Sequence, residues 1–400
     1  LCGASGAVLT LNAGSSSLKF ALFEAGDTPS AKARGEIEDL DSSPHLLARD
    51  AAGATLLEKH WPDRLPDPFA TVLAALLAFT DKHLGPDGLA AVGHRIVHGG
   101  PDHTAPALVT PKLLSGLEAL IPLDPLHMPH NLAPLHAVAA ARADLPQVAC
   151  FDTAFHHTLP PVARAVAIPR ELTEAGIRHY GFHGLSYEYI AGELKQRAPD
   201  LARGRVIVAH LGAGASLCAL LDGRSIATTM GFSALDGLVM ATRCGNLDPG
   251  VILYLGRQGH SFGDIEDMLY HRSGLLGVSK LSGDIRVLLE SKEPAALEAI
   301  ELFNYRVATQ VGSLVVALGG LDGLVFTAGI GQHAPVIRAH VCNHLTWLGV
   351  RIDEVANKAN SPRIGTPDSA VEVRVMATDE EAVIARHTRS VLEGSAPRSV

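Results

Sequence analysis

The strongest constraint on the fold is a pattern that occurs twice. Residues 7–38 read as a strand (AVLTL), a turn of small residues (NAGSSS), a second strand (LKFALFE), a polar turn and a third strand (AKARGEIE). Residues 206–230 repeat it with VIVAHL, GAGA, SLCALL, the dipeptide Asp222-Gly223 and RSIATTM. Asp-Gly between apolar runs is a strong hairpin signal, because both central positions of such a turn take positive φ. The first small-residue turn holds Asn, Gly and Ser, and the second holds Gly and Ala. Small residues let backbone N–H groups come close to a phosphate. The copies lie about 200 residues apart, too far for a solenoid. We read an internal duplication: two similar α/β domains, each presenting a hairpin turn to phosphate.

The rest of the chain fits an α/β protein, with charge-rich helical stretches alternating with short apolar strands. Residues 71–84 and 296–318 read as buried helices, and 323–331 as a buried strand running into a glycine turn. At 400 residues the length suggests two or three domains, and 47% hydrophobic with 19% charged residues is a globular balance. Such a chain buries a large core without staples. Lys plus Arg number 33 against 42 Asp plus Glu, and this argues against nucleic acid as the main partner. The five cysteines (Cys2, Cys150, Cys218, Cys244, Cys342) are scattered, odd in number and without a C-x-x-C, which fits a reducing compartment. No run of 18 apolar residues predicts a transmembrane helix. The opening LCGASGAVLT lacks the basic region of a secretory signal, so a cytoplasmic location is expected.

Common nucleotide and metal motifs are missing. AGSSSLK (13–19) has the wrong spacing for a Walker A loop, there is no H-E-x-x-H, and Gly212-Ala213-Gly214 is only a fragment of a dinucleotide fingerprint. What remains is a set of individually weak signals. Asn12, Ser15, Ser17 and Lys19 put an amide, hydroxyls and an ammonium beside a tight turn, which suits phosphate oxygens or simply a polar hairpin tip. Arg95 lies in an apolar stretch, so it is either paired or aimed at an anion. Asp152 follows an apolar run, at the strand edge where α/β proteins bind ligands; it could hold Mg²⁺ or serve only as a cap. His156 and His157 read as packing or capping residues. His183 sits at a loop-to-helix junction, Arg243 in a Gly/Pro-rich turn region, and Asp284 beside Arg286. Residues 377–388 read as an N-capped helix with Glu380 and Glu381 in its first turn, where acidic residues are favoured in any protein. Together, phosphate turns, arginines in polar loops and carboxylates suited to Mg²⁺ suggest phosphoryl transfer.

The longer segments are specific. NAGSSSLKF (12–20), GHRIVHGG (93–100), FDTAFHHTLP (151–160), RHYGFHGLS (178–186), HLGAGAS (210–216), MGFSALDGLVMATRCGNLDP (230–249), SGDIR (282–286), FTAGIG (326–331) and TDEEAVIA (378–385) resemble the acetate and propionate kinase family, in family order and over nearly the whole chain. The resemblance implies an α/β, duplicated actin-like (ribonuclease H-like) two-domain fold with an interdomain active-site cleft. The first domain would comprise 1–151 plus the C-terminal helix 381–400, and the second 152–380. It implies a homodimer and reversible, Mg²⁺-dependent transfer (Mn²⁺ as a substitute) from ATP to acetate, giving acetyl phosphate and ADP. Neither nucleic acid nor membrane is an expected partner.

Carried over by motif, Arg95, Asp152, His183 and Arg243 would be catalytic, with Arg95, Val97, Leu126 and Phe182 around the acetate. Ser15, Ser17, Lys19, His210, Gly212, Gly214, Asp284, Arg286, Gly329, Ile330 and Gly331 would hold phosphate and nucleotide, and Asn12 and Glu380 the metal. The chain departs from the family pattern at Ala213 (usually Asn), Leu185 and Tyr187 in HGLSY (usually HGTSH), Asp236 (usually Glu), Asn246, and Gln332-His333 (usually Glu-Asn). Ala213 and His333 fall where the phosphoryl donor should sit, which leaves pyrophosphate as an alternative donor. A propionate or other short-chain carboxylate kinase is the alternative acceptor reading. From a different class, a nucleotide-driven conformational switch would have no reason to keep Arg95 and Arg243.

Overall fold

The computed structural model describes residues 6–14, 17–24, 30–40, 42–61, 65–84 and 88–394. Ser15 and Cys2 lie outside the described residues. The chain divides into two compact units, Leu1–Phe155 with Asp379–Val400, and His156–Thr378. Asp152 and Glu380 both belong to the first.

The first unit is built on eight strands: β1 (Ala7–Ala13), β2 (Leu18–Phe23), β3 (Ala31–Glu38), β4 (His45–Asp50), β5 (Thr55–His60), β6 (Leu89–Ile96), β7 (Ala107–Leu108) and β8 (Gln147–Phe151). They form one sheet in the order β5-β4-β3-β2-β1-β6-β8-β7. β1 to β5 are joined antiparallel, while β6 runs parallel to β1 and β8 parallel to β6. β1 is central, and successive side chains alternate between two cores. Leu9, Leu11 and Ala13 join Val72, Leu73 and Leu76 of the helix Pro68–His83. Val8 instead meets Ala21, Phe23 and Ala385, the last from the C-terminal helix Glu380–Leu392. That helix lies very close to β6: a Cβ on Gly93 would come 2.2 Å from Thr388 Oγ1 and 2.6 Å from Ile384 Cγ2. The close approach needs glycine.

The second unit holds β9 (Arg205–Leu211), β10 (Ala215–Leu221), β11 (Arg224–Thr228), β12 (Gly323–Thr327) and β13 (Glu372–Val375), in the order β11-β10-β9-β12-β13. β9, β10 and β11 are antiparallel; β12 and β13 run parallel to β9. The order and directions match β3-β2-β1-β6-β8 strand for strand, so the duplication read from the turns is present in the topology. Asp222 and Gly223, with φ of 50° and 73°, make the expected turn with positive φ at both positions. The helix Pro294–Leu318 buries a stripe at helical spacing (Ala296, Ala299, Ile300, Phe303, Val307, Val311, Leu314) and ends at Gly319, φ 68°. Among the described residues no helix is long and apolar enough to cross a membrane.

Candidate active site

In the first unit the parallel pairing β1–β6–β8 brings the carboxyl ends of three strands to one edge. Asn12 is the penultimate residue of β1, Arg95 that of β6, and Asp152 follows β8 directly. The first turn of the helix Glu380–Leu392 adds Glu380 and Glu381. That turn is fixed by Asp379, whose carboxylate accepts from the N–H of Ala382 at 2.9 Å and from Arg34 at 3.1 Å.

These groups form one network. Asp152, fully buried, accepts through Oδ2 from Arg95 Nη2 at 2.5 Å and Nε at 3.0 Å. Arg95 Nη1 donates to Asn12 Oδ1 at 3.3 Å. Asn12 Nδ2 donates to Glu380 at 3.1 Å and Glu381 at 3.4 Å, and Arg95 Nε lies 3.8 Å from Glu380 Oε2. Burial acts to lower the Arg95 pKa, but Asp152, Glu380 and then Glu381 outweigh it, and the guanidinium is held charged. Glu380 is pushed up to about 7, first by burial and then by Asp152 and Glu381, against the pull of Arg95. Three carboxylates therefore face one guanidinium.

Asp152 Oδ1 is buried and has no hydrogen-bond partner. A buried carboxylate oxygen without a partner, beside surplus negative charge and only oxygen donors, fits a hard divalent cation that keeps part of its water shell. Glu380, Asp152 and the Asn12 carbonyl are the residues that would hold it, directly or through water. Lys19 is exposed on β2, opposite Asn12, and shares a surface hollow of about 390 Å³ with Arg34 and Glu381. Ser17 closes the β1–β2 turn, its carbonyl accepting from Gly14 N–H at 2.8 Å. Val97 is buried, with its N–H on Asn131 Oδ1 at 2.7 Å, and Leu126 is half-buried.

The second unit gathers a different set. His183 precedes the helix Gly184–Arg197 in a left-handed conformation, φ 57°. Its ring stacks on that of His210, from β9, with centroids 4.1 Å apart. Each imidazole is set by a hydroxyl: His183 Nδ1 pairs with Ser216 Oγ and His210 Nδ1 with Ser186 Oγ, both at 2.8 Å. Ser216 lies directly across the β9–β10 ladder from His210, and its hydroxyl is also 2.5 Å from the Tyr187 hydroxyl. Gly214 lets Arg243 in beside them. A Cβ there would lie 2.8 Å from Arg243 Nη2 and 3.3 Å from His183 Nε2. Arg243 Nη1 donates to the Ala234 carbonyl at 2.7 Å. Phe182 is buried, its carbonyl 2.9 Å from His156 Nε2, so His156 packs as expected.

A cavity of about 560 Å³ in the same unit is lined by Gly212, Asp284, Arg286, Gly329 and Ile330, together with the two departures Ala213 and His333. Arg286 is exposed and forked onto Asp284 at 2.6 Å, which lowers the Asp284 pKa. The glycine turn expected at 329–331 is the start of a helix, Ala328–His333, that follows β12 directly, with Ala328 in the left-handed region at φ 63°. Gly331 is packed behind it against Phe326 and Ala209, and its carbonyl accepts from the fully buried Arg338 at 2.9 Å. A larger cavity, about 620 Å³, runs along the helix Pro335–His344 and contains none of the expected site residues. Ser216, Ser186, Asn131 and Arg338 were not singled out by the sequence. For Ser216 a signal existed: a three-residue turn after Leu211 puts it opposite His210.

Residues 7–386 match the model of the acetokinase family. The chain belongs to that family. Acetate kinase of Rhodopseudomonas palustris (strain ATCC BAA-98 / CGA009) is 53% identical over 97% of this chain and 98% of its own length. Acetate kinase of Rhizobium meliloti is 45% identical over 98% and 100%. Among solved structures, a propionate kinase from Francisella tularensis superposes with a TM-score of 0.87 at 36% identity, covering 96% of this chain and 98% of that one. Acetate kinase from Porphyromonas gingivalis gives 0.84 at 34% identity, over 97% and 100%. The fold is thus the duplicated actin-like fold of acetokinases, and the chain is a phosphotransferase with a carboxyl group as acceptor.

Proposed function

We propose that this chain reversibly transfers the γ-phosphoryl group of ATP to acetate by direct in-line displacement. An acetate oxygen forms the new bond to phosphorus as the bond to the bridging β,γ oxygen breaks and ADP leaves. The observation that carries the reading is the Arg95–Asp152 pair with the surplus carboxylate of Glu380 beside it.

Acetate is already an anion at neutral pH and needs no general base, so catalysis reduces to alignment and charge neutralisation. Arg95 presents a planar fork to the carboxylate, held in place by Asp152 and Asn12. His183, His210 and Arg243 donate to the phosphoryl oxygens, where charge spreads in the transition state. Ser216 Oγ pairs with Nδ1 of His183, and Nε2 is the ring nitrogen assigned here to the phosphoryl group. Asp284, Arg286, Gly329 and Ile330 line the cavity assigned to adenosine, with Gly212 for phosphate; Ser15, Ser17 and Lys19 are assigned to phosphate by family likeness alone. Mg²⁺, when bound near Asn12, Asp152 and Glu380, supplies neutralising charge to the phosphates. The two compact units serve as the two actin-like halves. Family likeness also supports a cytoplasmic homodimer.

The test is hydroxylamine trapping of acyl phosphate with acetate, propionate and butyrate, each with Mg-ATP or pyrophosphate. Strong signal with acetate and Mg-ATP is expected. Signal with pyrophosphate alone moves donor choice to Ala213 and His333. No signal from folded protein with any pair overturns the reading.

A further inference from the structure

A second cluster of ligating side chains lies on the outer strands of the first sheet. In the register of β3, β4 and β5, Glu38 faces His45 and His45 faces His60, while Glu58 stands two residues before His60 and so on the same side of the sheet. His45 Nε2 is 3.2 Å and His60 Nε2 3.5 Å from one and the same oxygen, Glu58 Oε1. The two imidazoles stack with centroids 3.8 Å apart and planes 7° from parallel, so their ring planes run side by side, and the exposed His60 ring must turn out of the stack for both Nε2 lone pairs to aim at one ion. Among the described residues this is the only group of three His, Cys, Asp or Glu whose ligand atoms all lie within 4.8 Å of one another.

We propose that His45, Glu58 and His60 form a binding site for a borderline divalent transition-metal ion, Zn²⁺ in the first place. Two imidazole nitrogens and one carboxylate oxygen, with water in the fourth position, are a donor set Zn²⁺ accepts. Imidazole selects against Mg²⁺, which prefers oxygen. The backbone is firm where it must be: β4 is paired on both sides, and the opposite face of the strand buries Leu46 and Ala48 completely. β5 is the edge strand, and an ion shared by His45 and His60 ties it to β4. His60 and Glu58 are exposed, with 65% and 52% of their side chains accessible, so the ion has an open path. None of the three residues has a part in the proposed transfer.

The test is titration calorimetry of the full chain with Zn²⁺ in excess Mg²⁺, without substrates. One Zn²⁺ equivalent per chain is expected. It should be lost in His45→Ala and His60→Ala and weakened at least tenfold in Glu58→Gln. Zn²⁺ should also raise the melting temperature of the parent chain and of neither histidine variant. Co²⁺ in place of Zn²⁺ should give an intense visible band of four-coordinate type, absent from His45→Ala. All three variants should keep the parent's transferase activity in metal buffers free of Zn²⁺. No saturable Zn²⁺ site, or a site that survives both histidine variants, overturns the proposal. Failure of acetate-dependent phosphoryl transfer leaves it standing.

Discussion

Replacing Arg95 by alanine separates its structural role, as partner of a buried carboxylate, from the catalytic role proposed for it. The guanidinium is the only hydrogen-bond partner of Asp152 Oδ2 shown in the network, and the other oxygen of that buried carboxylate already lacks one. Removing one member of a buried ion pair costs about 3–5 kcal/mol, because the remaining charge stays desolvated. For a unit of this size that lowers the melting temperature on the order of 10 °C. The second role, catalysis, is the one proposed above, and loss of a charged anion donor there costs at least ~3 kcal/mol, about a hundredfold in kcat/KM for acetate. Asp152→Asn added to Arg95→Ala removes the stranded charge. The double variant should therefore regain most of the melting temperature and none of the activity. Calorimetric scans and the hydroxamate assay on the four proteins of the cycle measure both. If turnover returns with stability, Arg95 is only a counter-ion for Asp152. If Arg95→Ala melts like the parent, the buried-pair argument fails.

Four further outcomes are expected. Gly214→Ala should keep the fold, since its φ is ordinary, yet lower kcat about a hundredfold by displacing Arg243, which a Cβ would meet at 2.8 Å; a parent-like kcat in steady-state assays contradicts this. Tyr187→Phe removes the hydroxyl 2.5 Å from Ser216 and should reduce kcat roughly five- to tenfold, for a lost hydrogen bond of about 1 kcal/mol, with KM for acetate unchanged; the ring nitrogen shifts of His183 should move in NMR, and still spectra refute the relay. Val97→Ala should improve propionate relative to acetate by up to ~1–3 kcal/mol, the value of a methylene, and an unchanged ratio would mean that Val97 does not touch the acyl tail. Burial pushes the imidazoles of His94 and His156 down to about 3 and about 4. Both folded values lie below the unfolded ~6.5, so this contribution to stability is complete above ~6.5 and is lost as pH falls towards the folded values; at about pH 5 each histidine has cost ~2 kcal/mol, and His156→Gln should remove one such share from the urea-measured loss between about pH 7 and 5.

The parts legible in the sequence are those set by local chemistry. Asp222-Gly223 announces its turn because both φ values must be positive, and the two three-strand repeats follow from it. Asp379, Glu380 and Glu381 read as a helix start, and the structure caps that helix with Asp379. Expected helices at 71–84 and 296–318 begin earlier, at Pro68 and Pro294, because proline fits the first helical turn where its missing N–H is not needed. The glycines of 329–331 suggested a turn, yet Ala328 takes the left-handed position and the glycines enter a helix. What stayed hidden depends on distant partners. Asn131 binds Val97, 34 residues away, and Ala13, 118 residues away, joining the ends of β6 and β1. Nothing around Asn131 in the chain marks it. Arg338 is likewise unmarked, though it holds the carbonyls of Gly331 and Gln332 and the amide of Asn357.

The duplication also explains why the two halves carry opposite chemistry. Asn12 and His210 occupy the same position, the penultimate residue of the first strand of each repeat, and Lys19 and Ser216 stand opposite them across the hairpin. The same strand topology thus offers the same edge twice. In the first unit the edge collects Asp152, Glu380 and Glu381 around one guanidinium, an excess of negative charge that favours a cation. In the second it collects stacked imidazoles and Arg243 beside Gly214. A reaction between two anions needs both a held cation and anion donors; in the proposed function the first edge supplies the cation site and Arg95 for acetate, and the second supplies donors for the phosphoryl group. Moving one carboxylate across tests this: Ser216→Asp, opposite His210, should pair with His183 and Arg243 and abolish transfer while leaving unchanged the Mg²⁺ affinity proposed for the first unit. Retained transfer in Ser216→Asp would show that the separation of charge between the two copies is incidental.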